Sequence, residues 1–347
     1  MIFKRNKFIF NLHLLLTFLF ALPLLVVTLS APFAQYRNEI AQLINSYNVN
    51  IAKSDAPYLK MSEILAKFSQ NFGTINLVAL NIQSDKNKAV KISVLNDKQL
   101  QKFFINPYNG EAVLEKGSSV AKAILSVHRN LGLGLLESKE LLSLGKNIVA
   151  ISSIGLFVLI LSGFWLYLPT IKGGIKKAGI LNFKRKGYGF LYQLHGVLGI
   201  WLSLLLCVMC LTGLYWSYDF VRSGVNTAFG VDAKPGKKPQ PNAIKLENFS
   251  QIDEILTSVT DFKTLTIYAE NDTLKFKKDN NTTLKKPTNG LKFQTPRDVS
   301  RFWLSIHQGS IFGEVGRVIY SFTSTLFVLF VITGFMMMSW RLNRRAG

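Results

Sequence analysis

Residues 187–218 read GYGFLYQLHGVLGIWLSLLLCVMCLTGLYWSY, a run without one Asp, Glu, Lys or Arg. About 20 apolar residues suffice to cross roughly 30 Å of hydrocarbon as a helix. Inside lipid a helix satisfies all its backbone donors and acceptors within one segment, which an isolated strand cannot do. Stretches 8–30, 148–171 and 318–340 are equally free of charged side chains. Four membrane-spanning helices follow, and the fold class is that of a mainly α membrane protein built on a four-helix bundle. The first stretch follows Lys4, Arg5 and Lys7, as a signal peptide would. It exceeds the roughly 7–15 residues of a signal core and lacks a clear small-x-small cleavage site, so an uncleaved helix is expected.

The net charge of +21 invites a nucleic-acid reading, which its distribution removes. Residues 1–7 carry three Lys/Arg, 172–186 six and 341–347 three, with no acidic residue among them. These short pieces supply twelve of the net positive charges and mark the cytoplasmic side by the positive-inside rule. Both termini and the middle loop are therefore expected inside, and the long segments outside. The partner implied is a lipid bilayer, not nucleic acid. Cys207 and Cys210, the only cysteines, lie within an apolar run and are expected to act as packing residues rather than as a disulfide or metal pair.

The order is helix (1–30), lobe (31–117), amphipathic segment (118–147), helix (148–171), basic loop (172–186). It then repeats: helix (187–218), lobe (219–296), amphipathic segment (297–317), helix (318–340) and a basic tail (341–347). Residues 1–170 and 187–347 look like two copies of one plan. Their closing helices carry Ser162-Gly163-Phe164 and Thr333-Gly334-Phe335. The first lobe reads as α+β, with a helix at 61–70, strands at 75–82, 88–95 and 102–106, and a turn at Asn106-Pro107-Tyr108-Asn109-Gly110. The second opens with a Pro/Lys-rich linker at 234–241, followed by a helix at 250–259 and strands near 263–269, 273–278 and 291–294. Two separate α+β lobes are expected.

All four histidines lie in or beside the membrane segments. His13 and His195 sit about five and eight residues into the first and third helices, both from the expected inner side. His128 and His307 sit on apolar helical faces just ahead of the second and fourth helices, near the expected outer side. Each pair thus shares a depth, and no helix holds two members. An ionisable group at membrane depth is costly and points to function. A hydrogen bond to a neighbouring helix would explain any one of them. Four at two matched depths point instead to imidazole pairs filling the axial positions of two haem groups. Zinc is disfavoured, because no Cys, Asp or Glu stands beside them at ligand spacing. Arg129 and Arg317 are available to haem propionates at the outer rim, and Lys184, Arg185 or Lys186 at the inner one.

Three motifs resemble the PepSY-associated membrane proteins of bacterial inner membranes. One is Leu125-Ser126-Val127-His128-Arg129-Asn130-Leu131-Gly132-Leu133-Gly134. The second is Tyr192-Gln193-Leu194-His195-Gly196-Val197-Leu198-Gly199-Ile200-Trp201, ending in Leu211-Thr212-Gly213-Leu214-Tyr215-Trp216. The third runs from Ile306-His307-Gln308-Gly309 through Phe312-Gly313 and Gly316-Arg317 to Thr333-Gly334-Phe335. Asn106-Pro107-Tyr108-Asn109-Gly110-Glu111-Ala112-Val113 is similar to the strand–turn signature of a PepSY lobe. The resemblance implies PepSY-like lobes on the periplasmic side and haem ligation at His195, His128 and His307. His13 fits the early histidine of the family's first helix.

That family includes haem-containing ferric-siderophore reductases. The expected activity is therefore that of an oxidoreductase with two haem b, reducing an Fe(III)–siderophore or other Fe(III) chelate on the outer face. Trp303, Tyr215, Trp216 and Tyr218 could line a docking site there, or serve as interfacial belt residues. No flavin or nicotinamide motif is present, so the electron donor is quinol or a separate reductase. Two alternatives stand beside this reading. One is a non-enzymatic PepSY protein binding a peptide or protease; the other is a quinol-linked haem carrier serving another acceptor.

Overall fold

The computed structural model describes residues 7–51, 57–97, 99–231, 242–259, 261–270, 273–279 and 295–346. The expected linker 234–241 and the strand near 291–294 lie outside the described residues. In chain order the elements are α1 (Lys7–Gln35), α2 (Arg37–Val49), α3 (Met61–Phe72), β1 (Asn76–Gln83), β2 (Val90–Asn96), β3 (Gln99–Ile105) and β4 (Ala112–Leu114). Next come α4 (Gly117–Asn130), α5 (Lys139–Lys172), α6 (Ile175–Ala178), α7 (Gly187–Gly213) and α8 (Asp219–Ala228). The last are β5 (Ile244–Lys245), α9 (Ser250–Ser258), β6 (Thr264–Glu270), β7 (Thr273–Lys278), α10 (Pro296–His307) and α11 (Gly313–Ala346). They form two compact units, one of long helices and one built around a sheet.

In the helical unit, four helices among the described residues are long and apolar enough to cross a membrane: α1, α5, α7 with its short continuation to Trp216, and α11 with the turn before it. They contain three of the four uncharged runs of the sequence whole and the other, 187–218, as far as Trp216. Helix α1 packs against α5 and α11, and α7 against the same two, so α1 and α7 stand diagonally across the bundle. Small residues set how closely the helices approach. A Cβ at Gly196 would meet the Tyr167 ring at 2.1 Å, and one at Gly155 the Phe20 ring at 2.3 Å. Leu24, Leu156, Leu206, Cys210, Phe327 and Val331 fill the middle of the bundle. Cys210 is a packing residue, its Sγ held on the Cys207 carbonyl at 3.2 Å.

The sheet unit departs from the expected pair of lobes. The strands of both extramembrane segments join one antiparallel sheet in the order β4-β3-β2-β1-β6-β7, with β5 paired to β1. The junction is β1 to β6, where Leu80 faces Ile267 and Asn81 faces Thr266. Thr266 Oγ1 donates to Asn81 Oδ1 at 2.8 Å across it. Helices α3 and α9 share the same core, in which Ile64, Leu65, Phe68, Leu80, Ile252 and Ile267 are buried. The Asp253 carboxylate of α9 accepts from the Met61 amide at 3.0 Å and so caps α3.

The physical reason is area. A hairpin such as β6–β7 exposes one whole face and two edges, and is at best marginally stable in water. Pairing β6 with β1 removes an edge and closes one common core. A register shift between Leu77 and Ala79 lets Leu77, Leu80 and Ile82 all point inward along β1. The predicted turn after β3 is present, with Gly110 at φ +79° and its amide bonded to the Asn106 carbonyl at 2.8 Å.

Candidate functional site

The four histidines meet in twos, as their depths in the sequence predicted. The rings of His13 (α1) and His195 (α7) have centroids 6.4 Å apart with planes at 76°. The rings of His128 (α4) and His307 (α10) are also 6.4 Å apart, at 59°. The first pair comes from the two diagonal helices. Along α1, His13 and the His128 contact at Val27 are fourteen residues apart, so the pairs are separated by roughly 20 Å along the bundle.

Hydrogen bonds from the histidines stay within their own half of the chain. His13 Nδ1 meets Ser162 Oγ at 2.8 Å, and His195 Nδ1 meets Thr333 Oγ1 at 2.8 Å. His307 Nδ1 meets Thr212 Oγ1 at 2.8 Å. His128 Nδ1 meets the Val27 carbonyl at 3.0 Å and Ser30 Oγ at 3.3 Å. The correspondence between halves is residue for residue: Ser30 stands seventeen positions after His13, and Thr212 seventeen after His195. Each half therefore orients its own two imidazoles, while the close pairs form between halves. The sequence shows Ser162-Gly163 and Thr333-Gly334 as marks of a repeat, without showing what they touch.

A ring separation of 6.4 Å is too long for a direct hydrogen bond between the rings and leaves room for an atom between them. A direct N–H···N bond would bring imidazole centres to roughly 5 Å. Two metal–imidazole bonds of about 2.0 Å, with the ring radii added, place them roughly 6.2 Å apart. The residues thus fit an iron held between two axial imidazoles. Among the described residues there is no group of three or more His, Cys, Asp or Glu placed to hold a metal ion.

Beside the first pair lies a cavity of about 350 Å³, within the range of small-molecule and cofactor sites. Its walls include Leu24, Leu156, Phe330 and Phe335, together with Gly163, Gly199 and Gly334. A Cβ at Gly199 or Gly334 would meet no protein atom within 4 Å. These glycines leave flat, open wall beside the rings. Arg341 also lines the cavity and stacks 4.2 Å over Phe10. In the sequence it counts only as a topology charge.

The second pair is set among aromatic rings and cations. Trp216 lies 5.3 Å from the His307 ring, and Trp303 donates Nε1–H to the Thr212 carbonyl at 3.0 Å. Burial, above all, pushes the pKa of His128 down to about 4 and that of His307 to about 3. Arg129 repels a proton on either ring, and Arg37 one on His128. Arg129 Nη2 donates to the Trp216 carbonyl at 3.4 Å. Burial lowers its own pKa, with repulsion from Arg222 and Arg37 adding to the effect. Arg37 and Arg222 are members of this cationic group that the sequence alone does not single out, because only the folded chain brings them near Arg129.

Arg317 bonds Glu314 at 2.7 Å and the Gln35 carbonyl at 3.3 Å, its guanidinium 4.1 Å over the Tyr36 ring. These partners fix it at the C-terminal end of α1. Of the aromatic residues expected at a docking surface, Trp303, Trp216 and Tyr218 are half-buried. Tyr215 is not available, being 1% exposed with its hydroxyl bonded to Asn226 Oδ1 at 3.1 Å. The tight turn Leu214–Trp216 that ends α7 carries its ring inward.

The sequence model of the PepSY-associated TM region matches residues 10–341, nearly the whole chain. No curated protein matches it.

Proposed function

Because the chain belongs to the PepSY-associated TM family, we propose that it is an electron-transfer protein of the bacterial inner membrane, carrying two haem b and reducing Fe(III)–siderophore to Fe(II) on the periplasmic face. The observation that carries this reading is the pair of 6.4 Å imidazole couples at opposite ends of the bundle. His13 and His195 would hold one haem, and His128 and His307 the other. Bound haem iron supplies one-electron exchange.

The chain's own residues do the rest. Ser162, Thr333, Thr212 and the Val27 carbonyl orient the imidazoles. Leucine and phenylalanine walls give the first pair apolar surroundings. Arg129, with Arg37 and Arg222 near it, supplies positive charge beside the second pair for haem propionates and an anionic chelate. The basic pieces 1–7, 172–186 and 341–347 orient the first pair toward the cytoplasm, where quinol or a separate reductase would donate. At the far side a chelated Fe(III) gains one electron and becomes Fe(II), which hard oxygen ligands hold far more weakly. The iron is then released for uptake.

The test is a dithionite-reduced spectrum of protein purified from haem-sufficient cells. Bands of b-type haem are expected, and their absence would leave a partner-binding PepSY protein as the reading. Rapid reoxidation by a ferric siderophore supports the reductase; reduced haem that a ferric siderophore leaves reduced points to a quinol-linked carrier for another acceptor.

A further inference from the structure

Serine and threonine inside a helix commonly return their hydroxyl proton to a carbonyl one turn back. Four do so here at equivalent places in the two halves: Ser30 to Val27 at 3.0 Å, Ser162 to Leu159 at 3.1 Å, Thr212 to Val208 at 2.5 Å and Thr333 to Leu329 at 2.6 Å. With the proton committed to the helix, each hydroxyl offers its neighbour only oxygen lone pairs. That neighbour is a histidine Nδ1 in every case. A lone pair can only accept, so Nδ1 must carry the hydrogen. The Val27 carbonyl, an acceptor by nature, imposes the same on His128.

We infer that Ser30, Ser162, Thr212 and Thr333 are positioning residues that lock all four histidines as Nδ1–H tautomers, leaving every Nε2 lone pair ready to bind. What those lone pairs bind rests on the haem reading above; the tautomers do not. At Ser162 and Thr212 the residue after the hydroxyl contributes space. A Cβ at Gly163 would lie 3.3 Å from His13 Cε1, and one at Gly213 3.3 Å from His307 Cε1. Glycine follows Ser162, Thr212 and Thr333, and their contacts to Nδ1 are 2.8 Å. Ala31 follows Ser30, whose contact is 3.3 Å, and there the backbone carbonyl takes the shorter bond. An Nδ1–H that donates outward makes the ring a stronger donor through Nε2, which favours oxidised iron.

Four histidines in the chain make this directly measurable. Nitrogen-15 spectra of the full-length, histidine-labelled, haem-free protein should show four Nδ1–H rings. Thr333→Val should turn His195 into a tautomer mixture and leave the other three unchanged, and Thr333→Ser should restore it. In the haem-loaded protein Thr333→Val should raise the potential of the first site only and weaken its haem retention about 10–100-fold. Thr212→Val should do the same to the second site only.

An Nε2–H form at any of the four histidines in the unsubstituted protein would overturn the inference. So would a Thr333→Val protein with an unchanged tautomer and potential. Should that variant not fold, Thr212→Val and Ser162→Ala put the same question to His307 and His13. Protein that never takes up haem defeats the haem reading alone, because the nitrogen spectra still decide the tautomers.

Discussion

The two histidine pairs share a ring separation but not an environment. The first borders an open cavity of leucine, phenylalanine and glycine, with Arg341 the cation on its lining. The second is packed against Trp216, and His128 lies within the field of Arg129 and Arg37. The same hydroxyl device orients the rings in both places. Ring orientation is therefore set by equivalent hydroxyls of the two halves, while the local field is set by whatever surrounds each end. The two pairs are alike in how their rings are held and unlike in what surrounds them.

Breaking one pair should show how independent they are. His195→Ala removes a ring from the first couple and should cut haem content to roughly half, with the second site kept. Haem-to-protein ratio checks this, and equal loss from both sites would contradict the pairing. Filling the cavity is the subtler version. Gly199 has room for a side chain in the protein itself, so Gly199→Leu should fold, with helix propensity favouring Leu by somewhat under 1 kcal/mol. It should still abolish the first haem and spare the second. Retention of both haems by this variant would mean that the cavity is not a cofactor seat.

The difference in charge predicts an order of potentials. Nearby guanidinium groups favour the less positive, reduced iron, so the second site should have the higher potential and electrons should run downhill from first to second. Arg129→Gln should lower the second potential and leave the first in place, as read by spectroelectrochemical titration. A first site that is the more oxidising of the two would reverse the direction assigned to the protein.

Much of this was readable in the sequence because lipid imposes simple rules. Four uncharged runs predicted four helices, and four histidines on four different helical segments, two at each depth, required pairs between helices. The single sheet was not readable. Alternation identifies β1 and β6 as strands, but nothing local says that Leu80 will face Ile267 from the other half of the chain. The hydroxyl partners were hidden for a different reason. A serine or threonine in an apolar helix is ordinarily satisfied by its own backbone, so Ser162 and Thr333 stand out only once His13 and His195 are seen against them. Tyr215 misled because its place in the sequence suits a membrane interface, whereas the tight turn after α7 rotates it into the core.

The smallest effect concerns protons at the second pair. His128 and His307 titrate near 4 and 3 in the folded protein, chiefly because they are buried, against an ordinary value of 6.5. Both values are depressed, so above pH ~6.5 folded and unfolded chains alike hold these rings neutral and stability is at its full level. As pH falls through about 6.5 the unfolded chain takes up protons that the folded chain refuses, and stability drains away toward the folded values near 4 and 3. Carboxylates begin to contribute only below about pH 5, which leaves a window from about 6.5 to 5 belonging to histidine. Haem-free protein should therefore melt at a constant temperature above that window and at a falling one within it. His307→Gln removes one of these two half-buried rings and should flatten the slope. A melting temperature level across the window would mean that burial does not hold this pair neutral.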